Sequence, residues 1–148
     1  MKRIRRILHP SDFSSASRVA FTKAIEAAKS NRASLLLVHV MTTPVPIVGD
    51  GYLSPRTWDD LQRSIRTHSQ RQIDKLITRA KKGGVRASSV LLEGPPAEGI
   101  VRAAKSKRAD LIVMGTHGRG GLAKLFLGSV AERVVATAPC PVLTVRGR

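Results

Sequence analysis

Aromatic residues and cysteines are scarce in this sequence, and each scarcity excludes a class of protein. Phe, Trp and Tyr make up 3% of the 148 residues, so the core must be aliphatic, as in a parallel sheet covered by helices. Few aromatic rings also argue against a platform that stacks the bases of single-stranded nucleic acid. The single cysteine, Cys140, excludes an intramolecular disulfide and makes a cysteine-based zinc site implausible. We expect Cys140 to be a small buried residue at the start of a strand.

Long apolar runs are also absent. The basic residues near the beginning of the chain are followed only by Ile7 and Leu8 before His9 and Pro10. A signal peptide needs an apolar stretch of about 7–15 residues, and a membrane span needs roughly 20. The sequence therefore predicts a protein with no signal peptide and no membrane contact, located in the cytoplasm.

Acidic residues are outnumbered, with 10 Asp and Glu against 26 Lys and Arg and a formal net charge of +16. Such a charge attracts polyanions over a screened range of about 8–10 Å. The basic residues are spread along the chain and are not gathered in one tail. We therefore expect a soluble protein with incidental affinity for polyanions. A dedicated role with nucleic acid is the alternative, although no helix-turn-helix spacing or aromatic-bearing motif supports it.

Short apolar runs alternate with segments of helical periodicity along the chain. Strands are predicted over residues 4–9, 33–40, 85–92, 111–114 and 141–146, and helices over 15–30, 61–80, 97–107 and from 129 onward. Residues 41–55, rich in proline and glycine, are interpreted as a loop near the functional edge. This alternation predicts a parallel sheet with right-handed crossovers. The length and the 42% hydrophobic content predict one compact domain over residues 1–148.

A glycine-rich stretch organises the second half of the chain. The strand over 111–114 is followed by glycines at 115, 118, 120 and 121, and then by Gly128 and a helical segment. Ser129 and Glu132 have the spacing of a capping box, which predicts Ser129 as the N-cap. A helix start beside a glycine loop leaves N–H groups unpaired and carries positive potential. The stretch is therefore typical of an anion site.

The glycine spacing separates several classes of anion site. The P-loop pattern Gly-x-x-x-x-Gly-Lys-Ser/Thr is absent. Gly118, Gly120 and Ala123 fit a dinucleotide pattern, but they follow a late strand and no acid lies about 20 residues further on to hold a ribose. What remains is Gly115 and Gly118 with two residues between them, followed after nine residues by Gly128 and Ser129.

This remaining spacing resembles the Gly-2x-Gly-9x-Gly-Ser/Thr motif of the ATP-binding branch of the universal stress protein family. Residues 7–12 resemble the first strand and loop of that family, and residues 140–142 resemble its last strand, so the resemblance covers nearly the whole chain. It implies a single α/β domain with a doubly wound, five-stranded parallel sheet ordered 3-2-1-4-5 and helices on both faces. Such a fold is Rossmann-like and similar to that of the adenine-nucleotide alpha-hydrolases.

In that strand order, the crevice for a ligand lies outside the carboxyl ends of strands 1 and 4. The resemblance implies that an adenine nucleotide, ATP, binds there. The candidate binding residues come from the first loop, the end of strand 2 and the glycine stretch. They are Pro10, Ser11, Asp12, Val40, Met114, Gly115, His117, Gly118, Arg119, Gly128, Ser129 and Val130.

Individual roles follow for some of these residues. Backbone N–H groups of the glycine stretch, with the charges of Arg119 and Lys124, suit phosphate oxygens. Ser129 Oγ either caps its helix or reaches a phosphate. The resemblance implies that Asp12 contacts the ribose and that the Val40 backbone meets the adenine. A carboxylate at Asp12 could instead share a divalent cation, Mg²⁺ or Mn²⁺, with the phosphates, or cap the first helix.

No catalytic residue is assigned. His117 could act as a general base, but no second residue is placed to orient it. His9 and His39 occupy or end strands and are expected to be packed. The predicted function is therefore a nucleotide-dependent binding module in stress response or signalling, with slow hydrolysis at most; a weak ATPase is the alternative.

The last predicted strand suggests an assembly. Val142, Leu143 and Val145 follow Pro141 without a charge before Arg146. Burial in a parallel sheet would explain these apolar residues, but an edge strand also offers open N–H and C=O groups to another chain. The resemblance implies a homodimer formed through this strand.

Overall fold

A computed structural model describes residues 2–42, 53–117 and 127–147. Strands and helices alternate along these residues. In chain order they are β1 (Arg6–Pro10), α1 (Ser15–Asn31), β2 (Ser34–Met41), α2 (Pro55–Lys82), β3 (Ala87–Glu93), α3 (Pro96–Ser106), β4 (Leu111–Gly115), α4 (Ser129–Thr137) and β5 (Val142–Val145).

The five strands form one parallel sheet in the order β3-β2-β1-β4-β5, which confirms the predicted fold class and strand order. β1 lies in the middle and pairs with β2 from Arg6 opposite Ser34 to Pro10 opposite Val38. On its other side, Ile7 and Leu8 of β1 pair with Leu111 and Ile112 of β4. The winding therefore reverses at β1, and a crevice opens between the carboxyl ends of β1 and β4.

Two apolar layers cover the faces of the sheet, because successive side chains of a strand point to opposite faces. Ile7 packs with Phe21 of α1 and Ile73 of α2 on one face. Leu8, the next residue, packs with Ile100 of α3 and Val134 of α4 on the other. Both β1 residues are fully buried, as expected for the central strand of a sheet covered on both sides.

Serine hydroxyls cap the first turns of α1 and α2. The Ser14 hydroxyl caps α1 by accepting the Ser17 N–H at 3.2 Å. Ser54 caps α2 in the same way, and Pro55 occupies the first helical turn, where no N–H is needed. Helix α2 therefore begins at Pro55, six residues earlier than the apolar periodicity predicts. Residues 43–52 of the predicted loop lie outside the described residues.

Three expectations about single residues are wrong or only partly right. β1 includes Pro10, because a proline at the end of a strand still accepts hydrogen bonds through its carbonyl. The helical spacing of His68 with Leu61 and Ile65 predicts a half-buried residue, but His68 is exposed and Ser69 is buried in its place. Cys140 is half-buried, and burial raises the pKa of its thiol, which makes it a poor nucleophile. Among the described residues, no helix is long and apolar enough to cross a membrane.

Candidate functional site

A cleft of about 480 Å³ opens at the carboxyl edge of the sheet, within the roughly 300–1,000 Å³ typical of small-molecule sites. The ends of β1, β2 and β4 form its floor, and the first turns of α3 and α4 form its sides. Its lining residues are Pro10, Ser11, Asp12, Ser17, Val38, His39, Val40, Thr42, Pro96, Ile100, Met114, Gly115, Thr116, His117, Gly128, Ser129, Val130 and Ala131.

The structure brings most of the predicted binding residues together in this cleft. Those that line it are Pro10, Ser11, Asp12, Val40, Met114, Gly115, His117, Gly128, Ser129 and Val130. Gly118, Arg119 and the neighbouring Lys124 lie outside the described residues. The fold thus places three separate segments of the chain, from β1, β2 and the glycine stretch, around one cavity.

Sequence reasoning missed several lining residues, and two of them carried a detectable signal. Val38 lies two residues before Val40, so the alternation of a strand puts both side chains on the same face. Ile100 lies four residues after Pro96, so the two share one face of a helix. No comparable pattern marked Ser17 or Thr42, which reach the cleft only through the tertiary fold.

The loop after β1 is held in shape by its own polar atoms. The Ser11 N–H donates to the carbonyl of Val38 at 2.8 Å, which ties the loop to the end of β2. Ser11 Oγ accepts from the Phe13 N–H at 3.1 Å and from the buried Ser17 hydroxyl at 2.9 Å. These bonds fix the wall of the cleft on which Asp12 lies.

Asp12 supports the start of α1 without being its N-cap. Its Oδ1 accepts the N–H of Ser14 at 2.9 Å, and Ser14 is the residue that caps the helix. Asp12 is also the only Asp, Glu, Lys or Arg among the described residues that line the cleft. Its carboxylate therefore both shapes the loop and faces the cavity.

The N-cap of α4 is Gly128, and the prediction of Ser129 as the cap is wrong. Gly128 has extended backbone angles, φ −62° and ψ 156°, and its carbonyl accepts the Glu132 N–H at 2.9 Å. Ser129 is already the first helical residue, so its exposed hydroxyl cannot bond back to the turn as a cap would. No side chain among the described residues caps this helix. The N–H groups of its first turn lie at the cleft.

Thr116 joins the two ends of the glycine stretch. Its carbonyl accepts the Gly128 N–H at 2.6 Å, and its own N–H donates to Val145 of β5 at 3.0 Å. The residue is buried although it is polar. The start of α4 is therefore held against the end of β4, and both are tied to the last strand.

Three histidines lie in or behind the cleft. His9 is fully buried, as expected; its Nδ1–H donates to the Val113 carbonyl at 2.8 Å, and its Nε2 has no partner among the described residues. Burial lowers the pKa of His9 to about 4, against the opposing effects of the Val113 hydrogen bond and Asp12. His9 is therefore neutral at physiological pH and cannot supply positive charge to a ligand.

The other two histidines line the cavity itself. His39 was expected to be packed but is only half-buried; its Nδ1 lies 2.7 Å from the Ser11 carbonyl, and its ring centroid lies 4.3 Å from that of Phe13. His117 has its Nδ1 2.8 Å from the Thr116 hydroxyl.

The cleft combines an apolar wall with backbone donors. Val38, Val40, Ile100 and Met114 supply flat aliphatic surface, and the start of α4 supplies N–H groups and the positive end of a helix dipole. Among the residues described by the structure, no group of three or more His, Cys, Asp or Glu could hold a metal ion. Such a cavity suits a ligand that is apolar and planar at one end and anionic at the other.

Comparison with known sequences places this chain among close relatives. A family model described as the Universal stress protein family matches residues 3–146. Universal stress protein MJ0531 of Methanocaldococcus jannaschii is 39% identical over 142 residues, covering 96% of this chain and 82% of the relative. A universal stress protein of Thermus aquaticus is 40% identical over 141 residues, covering 95% of this chain and 97% of the relative.

Solved structures share the fold. UspA from Lactobacillus plantarum is 26% identical with a TM-score of 0.83, covering 99% of this chain and all of the other. A universal stress protein in complex with cAMP has a TM-score of 0.72 at 22% identity, covering 99% and 100%. A family protein from Arabidopsis thaliana with AMP bound has a TM-score of 0.70 at 23% identity, covering 97% and 92%.

Proposed function

This chain belongs to the universal stress protein family, and we propose that it binds an adenine nucleotide, ATP, in the cleft at the carboxyl edge of its sheet. The observation that carries the proposal is the start of α4, which faces the cleft without a capping side chain. Helix starts of this kind bind phosphate, because their N–H groups are unpaired and the dipole favours negative charge.

The phosphates would bind at this helix start. Ser129 and Val130 offer backbone N–H groups there, and Gly128 has no side chain to hold a phosphate at a distance. Gly118 and Arg119 belong to the same motif and would add a close backbone and a cation. The Ser129 hydroxyl, which does not cap the helix, is available for a phosphate oxygen.

The base and ribose would occupy the apolar part of the cleft. Val40, the next-to-last residue of β2, lines the cavity, where its backbone would meet the adenine edge while Met114 would contact a ring face. Asp12, two residues after the end of β1, would accept hydrogen bonds from the ribose hydroxyls. The cAMP and AMP held by two structures of the same fold support an adenine nucleotide as the class of ligand.

A divalent cation would accompany the phosphates. Mg²⁺ commonly binds through one or two carboxylates and the phosphate oxygens of a substrate. Asp12 supplies one carboxylate in the cleft, so the residues fit Mg²⁺ or Mn²⁺ carried by ATP. When bound, the ion would neutralise phosphate charge and Asp12 would orient it.

The output of binding would be a conformation or a partner, in stress response or signalling. No catalytic residue is proposed. Hydrolysis would be slow at most. We further propose that the chain acts in the cytoplasm as one domain and forms a homodimer through β5.

Mass spectrometry of the ligand released from purified, heat-denatured protein identifies what the cleft holds. Calorimetry with ATP, AMP and cAMP then measures the affinity of wild type and Gly128→Val. The extended backbone at Gly128 accepts valine without strain, but the side chain would block phosphate approach, so binding should be lost.

A matched change next to this position gives the control. Leu127 is 40% exposed and does not line the cleft, so Leu127→Ala should keep the affinity of wild type. Unchanged ATP affinity in Gly128→Val, or a released ligand without an adenine base, would contradict the proposal.

A further inference from the structure

The amino edge of the sheet, opposite the cleft, gathers a large share of the positive charge. Its strand starts and helix ends carry twelve exposed Lys and Arg side chains and a single acidic residue, Asp110. We call this surface the basic edge. Its cations are Lys2, Arg3, Arg5, Arg6, Lys29, Arg32, Lys81, Lys82, Arg86, Lys105, Lys107 and Arg108.

Topology brings these residues together from four separate parts of the chain. In an alternating parallel fold the helices run opposite to the strands, so helix ends and strand starts share one edge. Backbone bonds at this edge show the contact: Ser34 donates to Arg5 at 2.9 Å, and Leu35 donates to Arg86 at 2.8 Å. On the other side of β1, Asp110 donates to the Arg6 carbonyl at 2.8 Å.

The cations therefore form a row across the sheet. Its order is that of the strands, with Arg86 before β3, Arg32 before β2, Arg5 and Arg6 at β1, and Arg108 before β4. Neighbouring strands lie about 4.8 Å apart, so four of them give a row about 14 Å long. The outward side chains of the row extend this reach.

Helix chemistry explains only part of this charge. Lys29, Lys81, Lys82 and Lys105 lie in or near last helical turns, where cations favour the negative end of the dipole. Arg5 and Arg86 precede strands and have no helix end to stabilise. Their presence points to a role outside the fold itself.

Carboxylates do not neutralise the row. Asp110 lies 3.1 Å from Lys2, and no other ion pair to the basic edge occurs within residues 2–42, 53–117 and 127–147. Asp110 is also committed to the backbone, because its Oδ2 accepts the N–H groups of Arg5 and Arg6 at 2.9 and 3.0 Å. Like charges left uncompensated repel one another, and a bound polyanion would relieve that repulsion.

We propose that the basic edge binds the phosphate backbone of double-stranded nucleic acid without reading its sequence. A duplex carries one charge per about 1.7 Å of axis with both strands counted, so a row of about 14 Å spans a length that holds about eight phosphates. Half of the twelve cations of the basic edge are arginines, whose planar guanidinium group can donate two hydrogen bonds to phosphate oxygens. No helix projects from this edge to enter a groove, so the contacts are to backbone.

Other polyanions fit the surface less well. Single strands are held largely by stacking on aromatic rings, and the basic edge has none. Membrane surfaces are bound through exposed apolar side chains beside the cations. The exposed large apolar residues of the described chain are Leu53, Leu61, Leu127, Val135 and Leu143, and none belongs to the segments of the basic edge.

The test measures binding of the full chain to a mixed-sequence DNA duplex of about 20 base pairs by fluorescence anisotropy at several salt concentrations. The edge variant combines Arg5→Gln and Arg86→Gln, which precede β1 and β3, with Lys107→Gln at the C-cap of α3. Each lost phosphate contact lowers the slope of log K against log salt by about 0.9. The edge variant should therefore lose about 2.7 in slope and bind roughly 10²-fold more weakly at 0.1 M salt.

A control variant removes the same charge elsewhere. It combines Arg56→Gln, Arg71→Gln and Arg102→Gln, which are exposed residues of α2 and α3 outside the basic edge. Its slope should stay close to that of wild type. Circular dichroism melting of both variants verifies that the fold survives.

The outcomes separate the proposal from its rivals. Loss confined to the edge variant supports a built surface, whereas equal losses in the two variants would show that net charge alone binds the duplex. Wild type that ignores the duplex at 0.1 M salt would refute the proposal. Edge-dependent binding to phosphatidylserine vesicles in place of duplex would assign the surface to membranes.

Discussion

The two edges of this sheet use polar groups in opposite ways. At the carboxyl edge, Ser11, Asp12 and Ser17 bond to their own loop and helix, and they shape a cavity with little charge of its own. At the amino edge, cations point to solvent and a single carboxylate holds the backbone. One fold thus presents a shaped recess at one end and a charged surface at the other.

The acidic residues show the same division. Asp12 follows β1 and Glu93 ends β3, so both lie at the carboxyl edge, as do Glu98 and Glu132 in the first turns of α3 and α4. Asp110 is the only described acidic residue at the basic edge. The basic residues are spread along the sequence, but folding gathers twelve of the 26 at one edge. A charge that is even along a chain can therefore be strongly uneven on its surface.

Variants of each edge, measured with both ligands, show whether the two edges are separate sites. Gly128→Val should abolish nucleotide binding and leave duplex binding within about twofold, and the edge variant should do the reverse with a roughly 10²-fold loss. Calorimetry with ATP and anisotropy with the duplex measure the affinity of each of the two variants for each of the two ligands. A single change that weakened both ligands to the same degree would show that the edges are not separate sites.

As the pH falls, the fold should first lose stability through His9, which lies behind the cleft at the carboxyl edge. The fold keeps His9 neutral with a pKa of about 4, whereas the unfolded chain takes up a proton near pH 6.5. The free energy of unfolding should therefore fall by about 3 kcal/mol between pH 6.5 and 4, in addition to other titrations. In His9→Gln, whose amide can still donate to the Val113 carbonyl, that part of the decrease should disappear.

Urea unfolding of both proteins across this pH range measures the difference. His68→Gln, a matched change at an exposed histidine, should keep the pH dependence of wild type. If His9→Gln lost as much stability as wild type between pH 6.5 and 4, burial of a neutral imidazole would not be the cause.

The amino edge should respond to acid only at lower pH. The hydrogen bond from the Arg5 N–H, with those from Lys2 and Arg6, lowers the pKa of Asp110 below 3.8 against the cost of its desolvation. Its stabilisation is present above that value and is lost as pH falls through the folded pKa. Asp110→Asn keeps the shape but removes the charge, and should cost about 1 kcal/mol at pH 7.

Urea unfolding at pH 7 and pH 3 measures this effect. The gap between Asp110→Asn and wild type should narrow at pH 3, because the carboxyl group of the unfolded chain is protonated there and the stabilisation from the charged form is smaller. Asp74→Asn, on the exposed face of α2, is the control and should change stability by less than about 0.5 kcal/mol. A gap that was the same at both pH values would mean that charge does not matter at this position.

The smallest expected effect on stability concerns β5, the outermost strand on one side of the sheet. β5 is an edge strand, and Leu143 is 45% exposed on it. Leu143→Lys should change stability by about 0.5 kcal/mol or less yet convert the proposed dimer to a monomer. Light scattering on wild type, Leu143→Lys and Val135→Lys tests it, since Val135 is 47% exposed on α4. A monomeric wild type would remove the interface.

The strand order could be predicted because a motif and a rule agreed. The glycine spacing pointed to a family, and the crevice rule placed the loops after β1 and β4 side by side. Gly128 as the N-cap was missed because Ser129 and Glu132 matched a local pattern, whereas the bond between Gly128 and Thr116 is set by tertiary contact.

The basic edge could not be read from local sequence at all. Arg5, Arg32, Arg86 and Arg108 are separated by 22 or more residues, and nothing in their neighbours marks them as a group. Only the parallel pairing of four strands brings them together. Periodicity reports which face a residue takes, but it does not report which end of the sheet a distant segment joins.

The length of β1 decides whether the two ends of the molecule can influence one another. With 5 residues at about 3.3 Å each, this strand separates them by about 16 Å. That distance exceeds both the screening length of about 8–10 Å and the range over which substitutions usually interact. Nucleotide bound in the cleft should therefore leave the affinity for duplex nearly unchanged. By reciprocity, bound duplex should leave the affinity for nucleotide nearly unchanged. Four of the five residues of β1 are buried, and the strand keeps the two surfaces apart, so a substitution at one end should leave the affinity of the other end unchanged.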